Sequence, residues 1–129
     1  MTYYFAKTIT GPFEAAVSRV KGALQDEGFG VLTEIDVART LQQKLGADFR
    51  NYRILGACNP TLAHEALRRE DKIGTMLPCN VIVQEVDSGA VEVAAVDPVA
   101  SMTAVENAGL RDIAGQVREG LQRVVEGLG

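Results

Sequence analysis

Two β-rich runs, Leu77 to Val86 and Ala90 to Val96, are separated only by Asp87-Ser88-Gly89. Three turn-forming residues between strand-like segments read as a hairpin, so the chain must contain an antiparallel pair. Asp97-Pro98 then breaks the second strand, and Leu110, Ile113, Val117, Leu121, Val124 and Leu128 follow at steps of three or four residues. That spacing predicts a long final helix with one apolar face, which must be buried. Upstream, Phe13, Val17, Val20 and Leu24 repeat the helical spacing between Gly11-Pro12 and Gly28. Pro12 suits the first helical position, because the N–H it lacks would be unpaired there. Two amphipathic stripes thus compete for one apolar surface, and a sheet supplies it.

Three further strands are expected at Tyr3 to Ile9, Phe29 to Ile35 and Tyr52 to Cys58. Asp36 can cap a short helix carrying Val37, Leu41 and Leu45, ended by Gly46. Asn59 as N-cap with Pro60 behind it opens another, with Leu62, Ala63, Ala66 and Leu67 as a narrow apolar stripe. No period of 20 to 50 residues recurs, which argues against a solenoid or propeller. The expected architecture is α+β: a single antiparallel β-sheet, two long helices on one face, and short helical insertions. The other face must be covered too, or left polar. The chain of 129 residues fits one domain, 1–129.

Composition excludes more than it identifies. With 47% apolar and 23% charged residues, the chain resembles neither a disordered segment nor a membrane span. Seventeen acidic against thirteen basic residues argue against nucleic acid as a partner, which would call for clustered Lys and Arg. Met1 to Thr10 has one positive charge and no apolar run of signal-peptide type, so a cytoplasmic location with no membrane partner is expected. No Walker sequence, G-x-G-x-x-G, H-E-x-x-H or serine nucleophile elbow occurs.

Chemistry concentrates in Gly56-Ala57-Cys58-Asn59-Pro60 and Leu77-Pro78-Cys79-Asn80, each placing Cys beside Asn and near Pro. Cys58 falls where a strand enters a helix N-terminus, a place that favours a thiolate. If the third and fourth strands are antiparallel neighbours, both cysteines lie at one sheet end. Opposing Cys58 to Cys79 also opposes Ile54 to Val83 and puts all four on one face. Cys58 and Cys79 are therefore the candidate catalytic and metal-ligating residues, with Asn59, Asn80 and His64 as binding residues. A soft metal ion is the candidate cofactor. Against this, a free Cys is commonly a small packing hydrophobe. The spacing of the pair matches no C-x-x-C or zinc-ribbon pattern. The phase of His64, the only histidine, points it to solvent, although it shares a helix face with Pro60 above Cys58. Two readings stand: a thiol site for a soft metal or for sulfur and electron exchange, and a non-catalytic module whose cysteines only pack around a small apolar ligand.

These two stretches, with Leu62-Ala63, Ala66-Leu67, Gly74 and the earlier Gly28-Phe29-Gly30-Val31-Leu32-Thr33-Glu34-Ile35-Asp36, resemble the bacterial and archaeal domain-of-unknown-function 302 family over nearly the whole chain. The resemblance implies a TATA-binding-protein-like α+β fold and a homodimer, without implying DNA binding. A physical motive for dimerisation accompanies it. The run from Ala90 to Val96 has few gatekeeping charges, and as a sheet edge it would invite a partner.

Overall fold

A computed structural model describes residues 2–129. Five strands form one antiparallel sheet in the order β1-β5-β4-β3-β2. They are β1 (Tyr4–Thr10), β2 (Gly30–Asp36), β3 (Tyr52–Cys58), β4 (Cys79–Asp87) and β5 (Ala90–Val96). Helix α1 (Phe13–Asp26) follows β1, and α5 (Gly109–Gly127) ends the chain. Both pack on the same sheet face, as two apolar stripes sharing one surface require. Phe13, Val17, Val20 and Leu24 of α1 and Leu121, Val124 and Leu128 of the α5 stripe are buried there with Leu55, Val81, Val83, Val91 and Val93 from the strands.

Local signals placed most boundaries within a residue or two. Asn59 Oδ1 accepts from the Leu62 N–H at 3.1 Å and Asp36 Oδ1 from the Arg39 N–H at 3.0 Å, so both expected caps form. They start α3 (Pro60–Arg69) and α2 (Val37–Leu45), and Gly46 closes α2 in the left-handed region, at φ 64°. Pro12 lies one residue outside its expected place, as the N-cap of α1 with extended backbone. Two elements were not anticipated: a 3₁₀ segment at Asp71–Met76 and the one-turn α4 (Pro98–Ser101). The latter was legible, because Asp97-Pro98 repeats the cap-then-proline signature of Asn59-Pro60. Asp97 accepts from the Val99 N–H at 3.0 Å and from Arg118 Nε at 3.1 Å, tying α4 to α5.

Three expectations are corrected. Phe29, expected to begin the second strand, precedes β2 and is buried in the core. It packs so closely on α5 that a Cβ added at Gly120 would lie 2.9 Å from its ring, so only glycine fits the helix there. The run from Ala90 to Val96 is no edge: β5 sits between β1 and β4, and the edges are β1 and β2. The edge argument for a partner therefore fails at that strand. The sheet face that α1 and α5 leave uncovered is mixed rather than polar, with Thr8, Glu92 and Gln84 beside an apolar row. Ile35, Ile54, Ile82, Ala94 and Ala6 stand opposite one another in one row across all five strands, on the side away from α1 and α5.

Candidate functional site

A fourth correction concerns the cysteines. Strands β3 and β4 are antiparallel neighbours, but Ala57 faces Cys79 and Ile54 faces Ile82, one residue out of the expected register. A one-residue offset reverses a side chain's face. Val83 consequently lies in the core, whereas Ile54 stands on the uncovered face. Asn80, opposite Gly56, goes with Ile54: it is exposed and lines a groove with Tyr4 and Tyr52, away from the thiols.

The sheet end still brings Cys58 and Cys79 to one place, by another route. Cys79 opens β4 on the helix-covered side and is 7% exposed, while Cys58 is the last residue of β3, half-buried where the chain turns into α3. Both line a narrow apolar cleft. One wall comes from Phe29, Ala57, Leu77 and Pro78, another from Leu62, Ala63 and Ala66 of α3. Helix α5 supplies Leu110, Ile113, Ala114 and Val117, and the α4 region Pro98 and Met102. The cleft follows the seam between the main core and a smaller cluster built on Ala66, Ile73, Leu110 and Ile113. Its volume is about 30 Å³. Asn59 is the one side chain with an amide or charged group in the wall, and its oxygen is already spent on the α3 cap.

Two pieces of the wall explain the glycine and proline of the paired stretches. A Cβ on Gly56 would collide with Thr33 Oγ1 and lie 2.6 Å from Pro78 Cγ, so glycine lets β2 and Pro78 close over β3. The Leu77-Pro78 peptide bond is cis.

Electrostatics run against an activated thiol. Burial pushes the Cys58 thiol above its ordinary value. The N-terminus of α3 returns only part of this, since Pro60 has no N–H and Asn59 holds two of the next three, the Leu62 N–H on Oδ1 and the Ala63 N–H on its carbonyl at 2.8 Å. Cys79 is pushed up to about 11, by burial first and by the neighbouring Cys58 second. His64 is exposed and does not line the cleft. Among the described residues no group of three or more His, Cys, Asp or Glu is placed to hold a metal ion. Within this site the sequence reading found Cys58, Asn59 and Cys79. It missed the contribution of α4 and of the first half of α5, although the long apolar stripe of α5 already exceeded what one sheet crossing needs.

Comparison with known proteins agrees with this fold. Among the described residues no helix is long and apolar enough to cross a membrane. No curated protein matches the chain. A crystal structure described as an uncharacterized conserved protein DUF302 from Bacillus stearothermophilus is similar at 26% identity, covers 98% of both chains, and superposes with a TM-score of 0.89. The model of the domain of unknown function DUF302 matches residues 5–128, and the chain belongs to that family.

Proposed function

We propose that this chain is a non-catalytic, homodimeric binding module whose cleft between α3, α5 and the β3–β4 end of the sheet accepts a small apolar group. The observation that carries this reading is the character of the wall: two thiols held neutral by burial, among aliphatic and aromatic carbon. A cavity of about 30 Å³ is roughly twice what one water requires. Whole-ligand pockets run to several hundred Å³. The end of an alkyl or aryl group fits it, and the remainder of such a ligand lies outside, past Cys58. A soft-metal site needs a third and usually a fourth donor beside Cys58 and Cys79. Neither Asn59, committed to its cap, nor the exposed His64 supplies one, which favours the apolar-ligand reading.

The test uses Cys58 as reporter. Its alkylation rate is followed with increasing benzene or hexanol, in the native chain and in Ala63→Phe, which fills the cleft. Saturable protection in the native chain that disappears in the variant is expected. Unchanged labelling up to the solubility limit would reject the reading, and a Cys58–Cys79 disulfide formed by stoichiometric diamide in native protein would replace it with the thiol-exchange one.

A further inference from the structure

Among the described residues, Arg39, Lys44 and Arg111 are the basic side chains that make neither a hydrogen bond nor an ion pair; every other Lys and Arg is engaged within the fold. Arg39 and Lys44 belong to α2, which buries no residue. Arg111 instead lines a groove of about 330 Å³ between α4, the connection that follows it, and the first half of α5. Buried Leu110 and Ala114 form the floor, and Val99, Met102 and Val105 the apolar wall. Val99 is 43% exposed, an uncovered valine at the rim.

The other polar side chains of the wall are already committed. Asn107 Oδ1 accepts from the Gly109 N–H at 3.0 Å, and its Nδ2 donates to the Arg69 carbonyl at 2.9 Å. Thr103 Oγ1 donates to the Ala100 carbonyl at 3.0 Å. Among the described residues no Asp or Glu lines the groove, so the Arg111 guanidinium faces it without an internal counter-charge.

We propose that this groove binds a small aliphatic carboxylic acid, with the carboxylate on Arg111 and the alkyl chain along Val99, Met102 and Val105. Volume and charge select that occupant. The groove falls within the few hundred Å³ of a small-ligand pocket, and such pockets are mostly apolar with few polar groups to fix orientation. The fork of a guanidinium matches the two oxygens of a carboxylate. One cation balances one anion, whereas a phosphate monoester carries close to two charges at neutral pH. A nucleic acid would need clustered Lys and Arg, and the chain's net charge of −4 repels a polyanion.

Met102, Leu110 and Ala114 also line the thiol cleft, so the two cavities meet at a flexible thioether side chain. The proposal does not rest on the reading of that cleft, and the two occupants are separable by experiment.

The test is a ¹⁵N–¹H NMR titration with sodium octanoate of the native chain, Arg111→Gln, Arg111→Glu and Ala63→Phe, the spectra themselves reporting the fold. Arg111 is exposed and unpaired, so its replacement leaves the packing intact. Saturable shifts of amides from Val99 to Ala114 are expected in the native chain and in Ala63→Phe. Exposed ion pairs are modest, so Arg111→Gln should bind octanoate about five-fold more weakly, and Arg111→Glu more weakly still. Arg111→Glu should also bind octylammonium more tightly than the native chain does, which loss of packing alone would not produce. Equal octanoate affinity in all three Arg111 forms overturns the proposal. Shifts confined to the surroundings of Cys58 and lost in Ala63→Phe overturn it as well, and support the cleft reading instead. Absence of saturable shifts up to roughly 20 mM, well past a millimolar dissociation constant, overturns it and leaves the cleft reading standing.

Discussion

The neutral-thiol reading makes a quantitative prediction about Cys79. The perturbation is removal of Cys58 by Cys58→Ser, which leaves Cys79 as the only thiol. With its thiol held at about 11, the thiolate fraction of Cys79 at pH 8 is about 0.1%, against about 24% for an ordinary cysteine at 8.5. That deficit is about 200-fold. A more basic thiolate is the better nucleophile in thiol–disulfide exchange, which returns about ten-fold and leaves roughly a 20-fold net deficit. Exposure of only 7% slows access further, so at least a 20-fold retardation relative to glutathione is expected with an aromatic disulfide reagent at pH 8. The pH profile is the more telling signal. The rate should rise close to ten-fold per unit from pH 8 to 10 without a plateau, while circular dichroism over the same range reports any unfolding. Because Cys58 is the second cause of the shift, the midpoint in Cys58→Ser should fall slightly below that of Cys79 in the native chain. A plateau below pH 9 would refute the reasoning and restore the activated-thiol site.

The same burial links stability to alkaline pH. Folding holds Cys79 protonated above its unfolded value near 8.5, so its contribution is intact below about 8.5 and is lost as pH rises toward 11, by about 3 kcal/mol in all. The urea midpoint of the native chain should therefore fall toward that of Cys79→Ala over this window, and a constant difference would contradict it. At α5, Gly120→Ala drives a methyl to 2.9 Å from the Phe29 ring, and overpacking of about 1 to 3 kcal/mol outweighs the gain in helix propensity of about 1 kcal/mol. Gly115→Ala in the same helix meets open space and should stabilise by about 0.5 to 1 kcal/mol, so equal signs in denaturant titrations would refute the account. Asp97→Ala removes the α4 cap and strands Arg118, and thermal melts should report a loss of about 2 kcal/mol. A melt unchanged within error would show that the cap carries no weight.

Much of the fold was legible because its signals are local. A cap such as Asn59 or Asp36 acts on an N–H three residues away, and the φ of 64° at Gly46 is a property of one residue. The stripes of α1 and α5 are read at fixed steps along a single helix. Each of these survives whatever the rest of the chain does. Placement of the two cysteines at one sheet end was legible for a related reason. Each stands where its strand meets a neighbouring connection, and the third and fourth strands were the only adjacent pair needed to bring those ends together.

What sequence could not determine was set by pairing partners far along the chain. The register of β3 against β4 differs by one residue from the expected one, because the opposition of Ala57 to Cys79 is decided by how the strands meet their outer neighbours and by how Gly56 admits Thr33 and Pro78. That single step sends Asn80 away from the thiols and Ile54 to the uncovered face. Insertion of β5 between β1 and β4 likewise follows from the return of the chain's first strand to its last. The rule that a helix N-terminus favours a thiolate is local, and at Cys58 it meets a burial that pushes the thiol the other way, set by the packing of α3 and α5 over the sheet end. The sequence alone determined which segments are helices and strands, since those preferences are summed over a few adjacent residues. Tertiary structure alone decided which side chains share a cleft and which face lacks a cover, since both depend on contacts between residues some twenty to a hundred positions apart.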